Sequence, residues 1–153
     1  MNTKAYEIPR ILPDLDGDNT PYWEAAARGE LYLLRCEDCG RIIHPPRPGC
    51  AACAGSNQTW INLGGRVTGT VYTYVVVYKA FLPGYAQIVP YVIAVCDVDG
   101  APGARVMANI LKVDVEDVKI GMPVEMTWEK RSESITVPQW IPRRPAAPDE
   151  RGE

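Results

Sequence analysis

Cys36-Glu37-Asp38-Cys39-Gly40 and Cys50-Ala51-Ala52-Cys53 are two Cys-x-x-Cys pairs with ten residues between them, and their reading decides the first half of the fold. Each pair can turn two thiolates toward one ion, and two pairs complete the tetrahedron that zinc takes in closed structural sites. Four sulfurs leave no position open for water, which separates this pattern from a catalytic zinc site. Iron in the same sulfur cage is the remaining alternative. A redox reading would need a helix N-terminus in a thioredoxin-like βαβ setting, and the flanking sequence has none. Cys36, Cys39, Cys50 and Cys53 are therefore the expected ligands of one structural zinc. Gly40 supplies the tight backbone that such a turn favours, and Pro45, Pro46 and Pro48 stiffen the link between the pairs. The roughly 25 residues of this ribbon are expected to depend on the metal because they are too few to bury a core.

Downstream the character changes to β. Val67 to Tyr78 is dense in β-branched and aromatic residues, and Gly69 within it suggests a long, bent strand. Val89–Val98 reads as a second strand, followed by Asp99-Gly100 where a hairpin turn belongs. Ala104–Ile110, Val124–Trp128 and Ile135–Trp140 complete a set of five. Five strands with little helix between them predict a small antiparallel barrel, which closes the sheet and removes its edges. An OB-like barrel leads, and an SH3-like one stays open on pattern alone.

Upstream, Met1–Asn19 carries Pro9, Pro13 and three aspartates without periodicity and reads as an extended polar lead-in. Thr20-Pro21 looks like a helix start, with Thr20 as N-cap and Pro21 in the first turn. Tyr22, Trp23, Ala26 and Ala27 would form its apolar face, and Gly29 would end it. Leu31–Arg35 then leads as a strand into the first cysteine pair. The division expected is 1–30 for the extension and short helix, 31–60 for the zinc ribbon, 61–141 for the barrel, and 142–153 for a flexible, proline-rich and charged tail. The fold class is mainly β.

Hydrophobic residues make up 46% of the 153 and charged ones 23%, the balance of an ordinary globular protein. No apolar run approaches the roughly 18 residues of a membrane helix, and the N-terminus lacks the apolar core of a secretory signal. No membrane association and a cytoplasmic location are expected. Five cysteines, an odd number, fit a disulfide framework poorly.

Other chemistry-bearing residues are few. His44 is the only histidine and stands in the zinc hairpin away from any carboxylate, so a surface or spare role is expected over acid–base work. Cys96, in an apolar strand, reads as a small buried hydrophobe with a raised thiol pKa. Asp97 and Asp99 flank Gly100 as turn residues rather than as an acid–base pair. Nucleophile elbows, phosphate loops and dinucleotide fingerprints are all missing from the sequence. The segment from Tyr78 to Pro90 joins two strands yet holds Tyr78, Phe81, Leu82, Tyr85 and Ile88. Such a loop either folds over the barrel mouth or docks on another surface; Tyr78, Phe81, Leu82 and Tyr85 are its candidate contacts for a partner or ligand.

The order of parts carries a resemblance. Pro21-Tyr22-Trp23-Glu24 is followed by Leu33-Leu34-Arg35-Cys36-Glu37-Asp38-Cys39-Gly40, then Pro45-Pro46-Arg47-Pro48 and Cys50-Ala51-Ala52-Cys53. Gly69-Thr70-Val71-Tyr72-Thr73-Tyr74, Val89-Pro90-Tyr91-Val92-Ile93-Ala94 and Gly121-Met122-Pro123-Val124 come after them. From about Thr20 to Trp140 the chain resembles the acyl-CoA-associated family with an N-terminal rubredoxin-like zinc ribbon and a C-terminal OB-fold. The resemblance implies an accessory subunit of a thiolase-superfamily enzyme: a thiolase, an acyltransferase, or an aldolase that shortens steroid side chains by retro-aldol cleavage. Some relatives work instead beside hydratase-like domains. It also implies that a thiolase-like partner owns the catalytic groups, in a two-plus-two assembly, while this chain supplies assembly and a wall of the acyl-CoA path. No catalytic residue pattern is transferred.

Two other functions compete. OB-folds and zinc ribbons bind single-stranded nucleic acid elsewhere, and Tyr72, Tyr74 and Tyr78 could stack bases. Aromatics on the strands of so small a barrel are more often core, however. Between Ile61 and Lys130 six Lys/Arg face seven Asp/Glu, and the whole chain carries −3, a poor electrostatic basis for phosphate binding. No nucleic-acid partner is expected. A free-standing enzyme using Cys96 or His44 is the weakest reading.

Overall fold

The computed structural model describes residues 11–15, 17–82 and 84–143. A 3-10 turn at Gly17–Asn19 leads into helix α1, Thr20–Ala27. Asn19, one residue before the expected Thr20, is the N-cap, and Pro21 sits in the first turn, where a missing N–H costs nothing. The helix buries Tyr22, Ala25 and Ala26. Ala27 lies in solvent instead of Ala25 because the helix enters slightly rotated from the expected face. Gly29 closes it with a φ of 74°.

Three strands form the ribbon sheet: β1 (Tyr32–Cys36), β2 (Ile42–Ile43) and β3 (Gln58–Asn62), in the order β2-β1-β3. Strand β3 was not among the expected elements. It pairs antiparallel with all of β1, from Tyr32 against Asn62 to Cys36 against Gln58. The ribbon also has a small core. Leu34, Ile43, Cys36 and Cys50 are buried together beneath Trp60, so the metal is not its only support.

The remaining strands are β4 (Thr68–Val77), β5 (Tyr91–Val98), β6 (Arg105–Ile110), β7 (Pro123–Lys130) and β8 (Thr136–Pro142). They close a barrel in the order β4-β5-β6-β8-β7, with β7 returning to β4. All five expected strands are present, with no end displaced by more than two residues, and the barrel is OB-like. Strand β4 carries an irregularity at Tyr72, between the pairs Val71–Cys96 and Thr73–Val95. Gly69 is obligatory: a Cβ there would collide with the Asp97 carbonyl and come within 3.4 Å of the Trp140 ring. The bend expected at Gly69 is therefore a close strand approach at that residue and a bulge three residues later.

Trp140, fully buried, fills the barrel with Val71, Val92, Val106 and Val124. Leu31 and Leu33 of the ribbon side and Tyr22 of α1 belong to the same cluster, while Trp60 packs against both the barrel and ribbon cores. The weakest seam is β6–β8, whose parallel ladder pairs only Ile110 with Trp140. Side chains reinforce it. The Asn109 N–H donates to Gln139 Oε1 at 2.9 Å, and the Trp140 indole N–H donates to the Val106 carbonyl at 3.3 Å.

Candidate metal centre and interaction loop

The two cysteine pairs adopt the same turn twice. The Gly40 N–H donates to the Cys36 carbonyl and the Ala54 N–H to the Cys50 carbonyl, each at 2.8 Å. Cys36 N–H then donates to the Arg41 carbonyl and Cys50 N–H to that of Gly55. Both turns need a left-handed residue four positions after their first cysteine: Gly40 takes φ 74° and Ala54 φ 60°. Gly55, the less diagnostic glycine in the sequence, is held by sterics, because a Cβ there would lie 3.2 Å from Cys53 Sγ and against the Asp38 carboxylate.

The turns aim four sulfurs at one point. Cys36 Sγ lies 3.5 Å from Cys53 Sγ and Cys39 Sγ 3.7 Å from Cys50 Sγ, and all four fall within 4.8 Å of one another. A tetrahedron with metal–sulfur bonds of about 2.3 Å has sulfur–sulfur edges of about 3.8 Å, so the donor set fits zinc in both chemistry and size. Backbone amides reach two of the sulfurs: Ala52 N–H donates to Cys50 Sγ and Gly55 N–H to Cys53 Sγ, each at 3.4 Å. Yet despite the Gly55 amide, the neighbouring Cys36 and Cys39 sulfurs push the Cys53 thiol up to about 12. The amides of Ala52 and Cys53 hold the Cys50 thiol down to about 6. Four thiolates this close repel one another, and a dication between them reverses that balance. Cys36 and Cys50 are buried, whereas Cys39 and Cys53 face solvent.

His44 is half-buried rather than a free surface residue. Its ring packs against Tyr22 with centroids 5.4 Å apart, and burial lowers its pKa to about 4. Cys96 is fully buried as expected, and burial, aided by Asp97, pushes its thiol up to about 12. Asp97 pairs with Arg105 at 2.9 Å, and Asp99 accepts a hydrogen bond from the Thr68 hydroxyl at 2.6 Å. Among the described residues these groups form no nucleophile–base pair.

Residues 78–90 divide the loop's two readings between them. Tyr85 turns back onto Tyr91, ring centroids 5.9 Å apart, and its N–H donates to the Leu82 carbonyl. Tyr78, Phe81 and Leu82 point away from the barrel, at 70%, 85% and 51% exposure. Tyr72 likewise lies outside, half-exposed, with the Arg105 guanidinium 3.5 Å over its ring. The expectation that the strand tyrosines are core holds only for Tyr74, which packs on the barrel cluster. Tyr72 faces out by simple alternation from buried Val71, and the irregularity that follows shifts the alternation so that Tyr74 turns inward.

Comparison with known proteins decides the family. Residues 23–58 match the model for the ChsH2 rubredoxin-like zinc ribbon domain, and residues 60–129 that for the ChsH2 C-terminal OB-fold domain. The solved "Ltp2-ChsH2(DUF35) aldolase" contains a chain that is 30% identical and superposes with a TM-score of 0.72, covering 86% of this chain and 98% of that one. The chain belongs to the ChsH2 (DUF35) family. It is also similar to a DUF35 domain-containing scaffold protein of Methanocaldococcus jannaschii, 37% identical over 67% of this chain and 70% of that one. A probable enoyl-CoA hydratase alpha subunit of Thermomonospora curvata is 32% identical over 92% of this chain. A 3-oxo-4,17-pregnadiene-20-carboxyl-CoA hydratase alpha subunit of Mycobacterium tuberculosis is 30% identical over 85%. The chain spans only 41% and 38% of the lengths of those two hydratase subunits. The ChsH2 zinc ribbon brings a structural zinc, and all four cysteines fall inside the matched segment. Strand β8, with Gln139 and Trp140, lies beyond the matched OB-fold segment. No described helix is long and apolar enough to cross a membrane.

Proposed function

We propose that this chain is a zinc-holding accessory subunit of a thiolase-superfamily acyl-CoA enzyme, needed for assembly and activity and catalytic only through its partner. Cys36, Cys39, Cys50 and Cys53 bind the ion, which fixes the ribbon against the barrel and takes no part in chemistry. Tyr78, Phe81 and Leu82 contact the partner or the acyl-CoA it handles, and half-buried Tyr85, packed on Tyr91, meets them only at its exposed edge. The observation that carries this reading is the likeness, over 86% of this chain, to a chain of the Ltp2-ChsH2(DUF35) aldolase, joined to a barrel whose interior is occupied by Trp140 and its neighbours. A packed barrel offers no room for substrate inside, so the outside must do the work. The pregnadiene-carboxyl-CoA and scaffold relatives favour a steroid-type acyl-CoA and an assembly role.

Tagged chain recovered from its native source tests the proposal. A thiolase-like protein in stoichiometric amount, two of each and retained in high salt, is the expected result. A chain recovered alone, or with nucleic acid that salt strips away, would overturn it.

A further inference from the structure

Strand β5 is apolar on both faces from Tyr91 to Cys96, and Val75, Val77 and Met107 of its neighbours widen the outer apolar patch. Inside, Val92, Ala94, Cys96 and Val98 of β5 are buried, as are Val106, Ala108 and Ile110 of β6. Outside, the register sets Thr73, Val95 and Met107 side by side, then Val75, Ile93 and Asn109, then Val77 and Tyr91. An antiparallel sheet with water on one side normally alternates apolar with polar, and a strand that is apolar throughout is normally covered on both faces. Here Val75 is 55% and Met107 68% exposed.

On its strands the outer face carries one paired charge of each sign, and in the adjoining loop exposed Lys79 is a single cation without a described ion pair. Asp97 and Arg105 pair with each other at 2.9 Å, and Arg105 covers the Tyr72 ring. Phosphate backbones and anionic lipid surfaces need several unpaired cations, and one lysine does not supply them. Tyr72, Val75, Met107, Tyr78, Phe81 and Leu82 together present on the order of 700 Å² of mostly apolar surface, close to the roughly 800 Å² per side of a standard protein interface.

We infer that the outer face of β4, β5 and β6 is the docking surface for the catalytic subunit of the acyl-CoA enzyme, which meets it with an uncharged apolar patch. Phe81 and Leu82 anchor one end, and the Asp97–Arg105 pair forms the polar rim at the other. This rests on the accessory-subunit reading and extends the contact from the loop to the sheet.

The test measures the affinity of the full chain for the acyl-CoA enzyme recovered with it. Val75→Lys and Met107→Glu place a charge in the centre of the face, at side chains already in water. Ile120→Glu places one at an equally exposed site, 69% accessible, outside the face. Zinc content and melting temperature establish that each variant is folded. The expected result is a loss of at least a hundredfold for the first two and less than threefold for the third. Folded Val75→Lys and Met107→Glu chains that bind like wild type would overturn the inference while leaving the accessory role intact. If no acyl-CoA enzyme accompanies the wild type, the accessory reading fails, and sedimentation of the purified chain follows. A dimer dissociated by Met107→Glu would then assign the face to a second copy. A monomer would leave it without a protein partner. Either overturns this inference.

Discussion

At the scale of single residues, the two cysteine turns differ in one place that matters. Gly40 occupies the left-handed position of the first, and Ala54 the same position of the second. A Cβ in that conformation costs roughly 1 kcal/mol. Ala54→Gly should therefore raise stability by about that much and move the urea midpoint upward without changing zinc stoichiometry. His44 supplies a prediction in pH. Burial depresses its folded pKa to about 4 from 6.5, so the folded state binds fewer protons than the unfolded one between those values. Stability is full above pH 6.5 and declines as pH falls toward 4, at up to about 1.4 kcal/mol per pH unit. His44→Phe, with nothing to protonate, should show a shallower decline between pH 6.5 and 5 than the wild type in parallel urea titrations. The cysteine ligands were legible because spacing alone states their chemistry. The burial of His44 was not, because it depends on Tyr22 arriving from a helix more than twenty residues away.

Among the elements, the β6–β8 seam is the most informative. Its backbone ladder is short, and the Gln139 side chain takes over as a substitute strand. Oε1 accepts from the Asn109 N–H, while Nε2 donates to Glu129 Oε2 at 2.9 Å, and Glu129 holds Arg131 at 2.8 Å. Gln139→Ala would leave the part-buried Asn109 N–H without its acceptor, while Glu129 keeps Arg131, at a cost of about 2 kcal/mol. A lowered urea midpoint with an unchanged slope is the expected signature; a shift under 0.5 kcal/mol would show that water or backbone repairs the seam. The strands were readable from β-branched and aromatic density, and helix α1 from its proline and glycine. Strand β3 was missed although Gln58-Thr59-Trp60-Ile61-Asn62 carries a β-type core of its own. Five residues beside a stronger metal signal read as connector until β1 supplies the partner edge. The outward apolar side chains of β5 were equally visible as an unbroken apolar run, but which of them face out depends on barrel closure.

For the whole molecule, the ribbon and the barrel are one mechanical body. Leu31, Leu33 and Trp60 pack into the barrel core while Trp60 also roofs the sulfur-bearing cluster. Removing zinc should consequently lower the stability of the entire chain, not only of residues near the cysteines. Dialysis against a strong chelator is expected to lower the melting temperature by 10 °C or more, with the tryptophan and far-ultraviolet signals moving together. A metal-free chain whose barrel melts at the original temperature would show the two parts to be independent.

The place of β8 between β6 and β7 has a consequence for how the protein is made. Synthesis runs from the N-terminus, so the ribbon's four sulfurs leave the ribosome long before Thr136–Pro142, and the ribbon can collect its ion while the barrel is still a gapped sheet. Trp140, which fills that sheet's hollow, is among the last of the core residues to emerge. Between the emergence of β4–β6 and that of Trp140 the nascent chain therefore exposes an apolar interior along one open side, and a partner or chaperone able to shield that side would act before the last strand slots home.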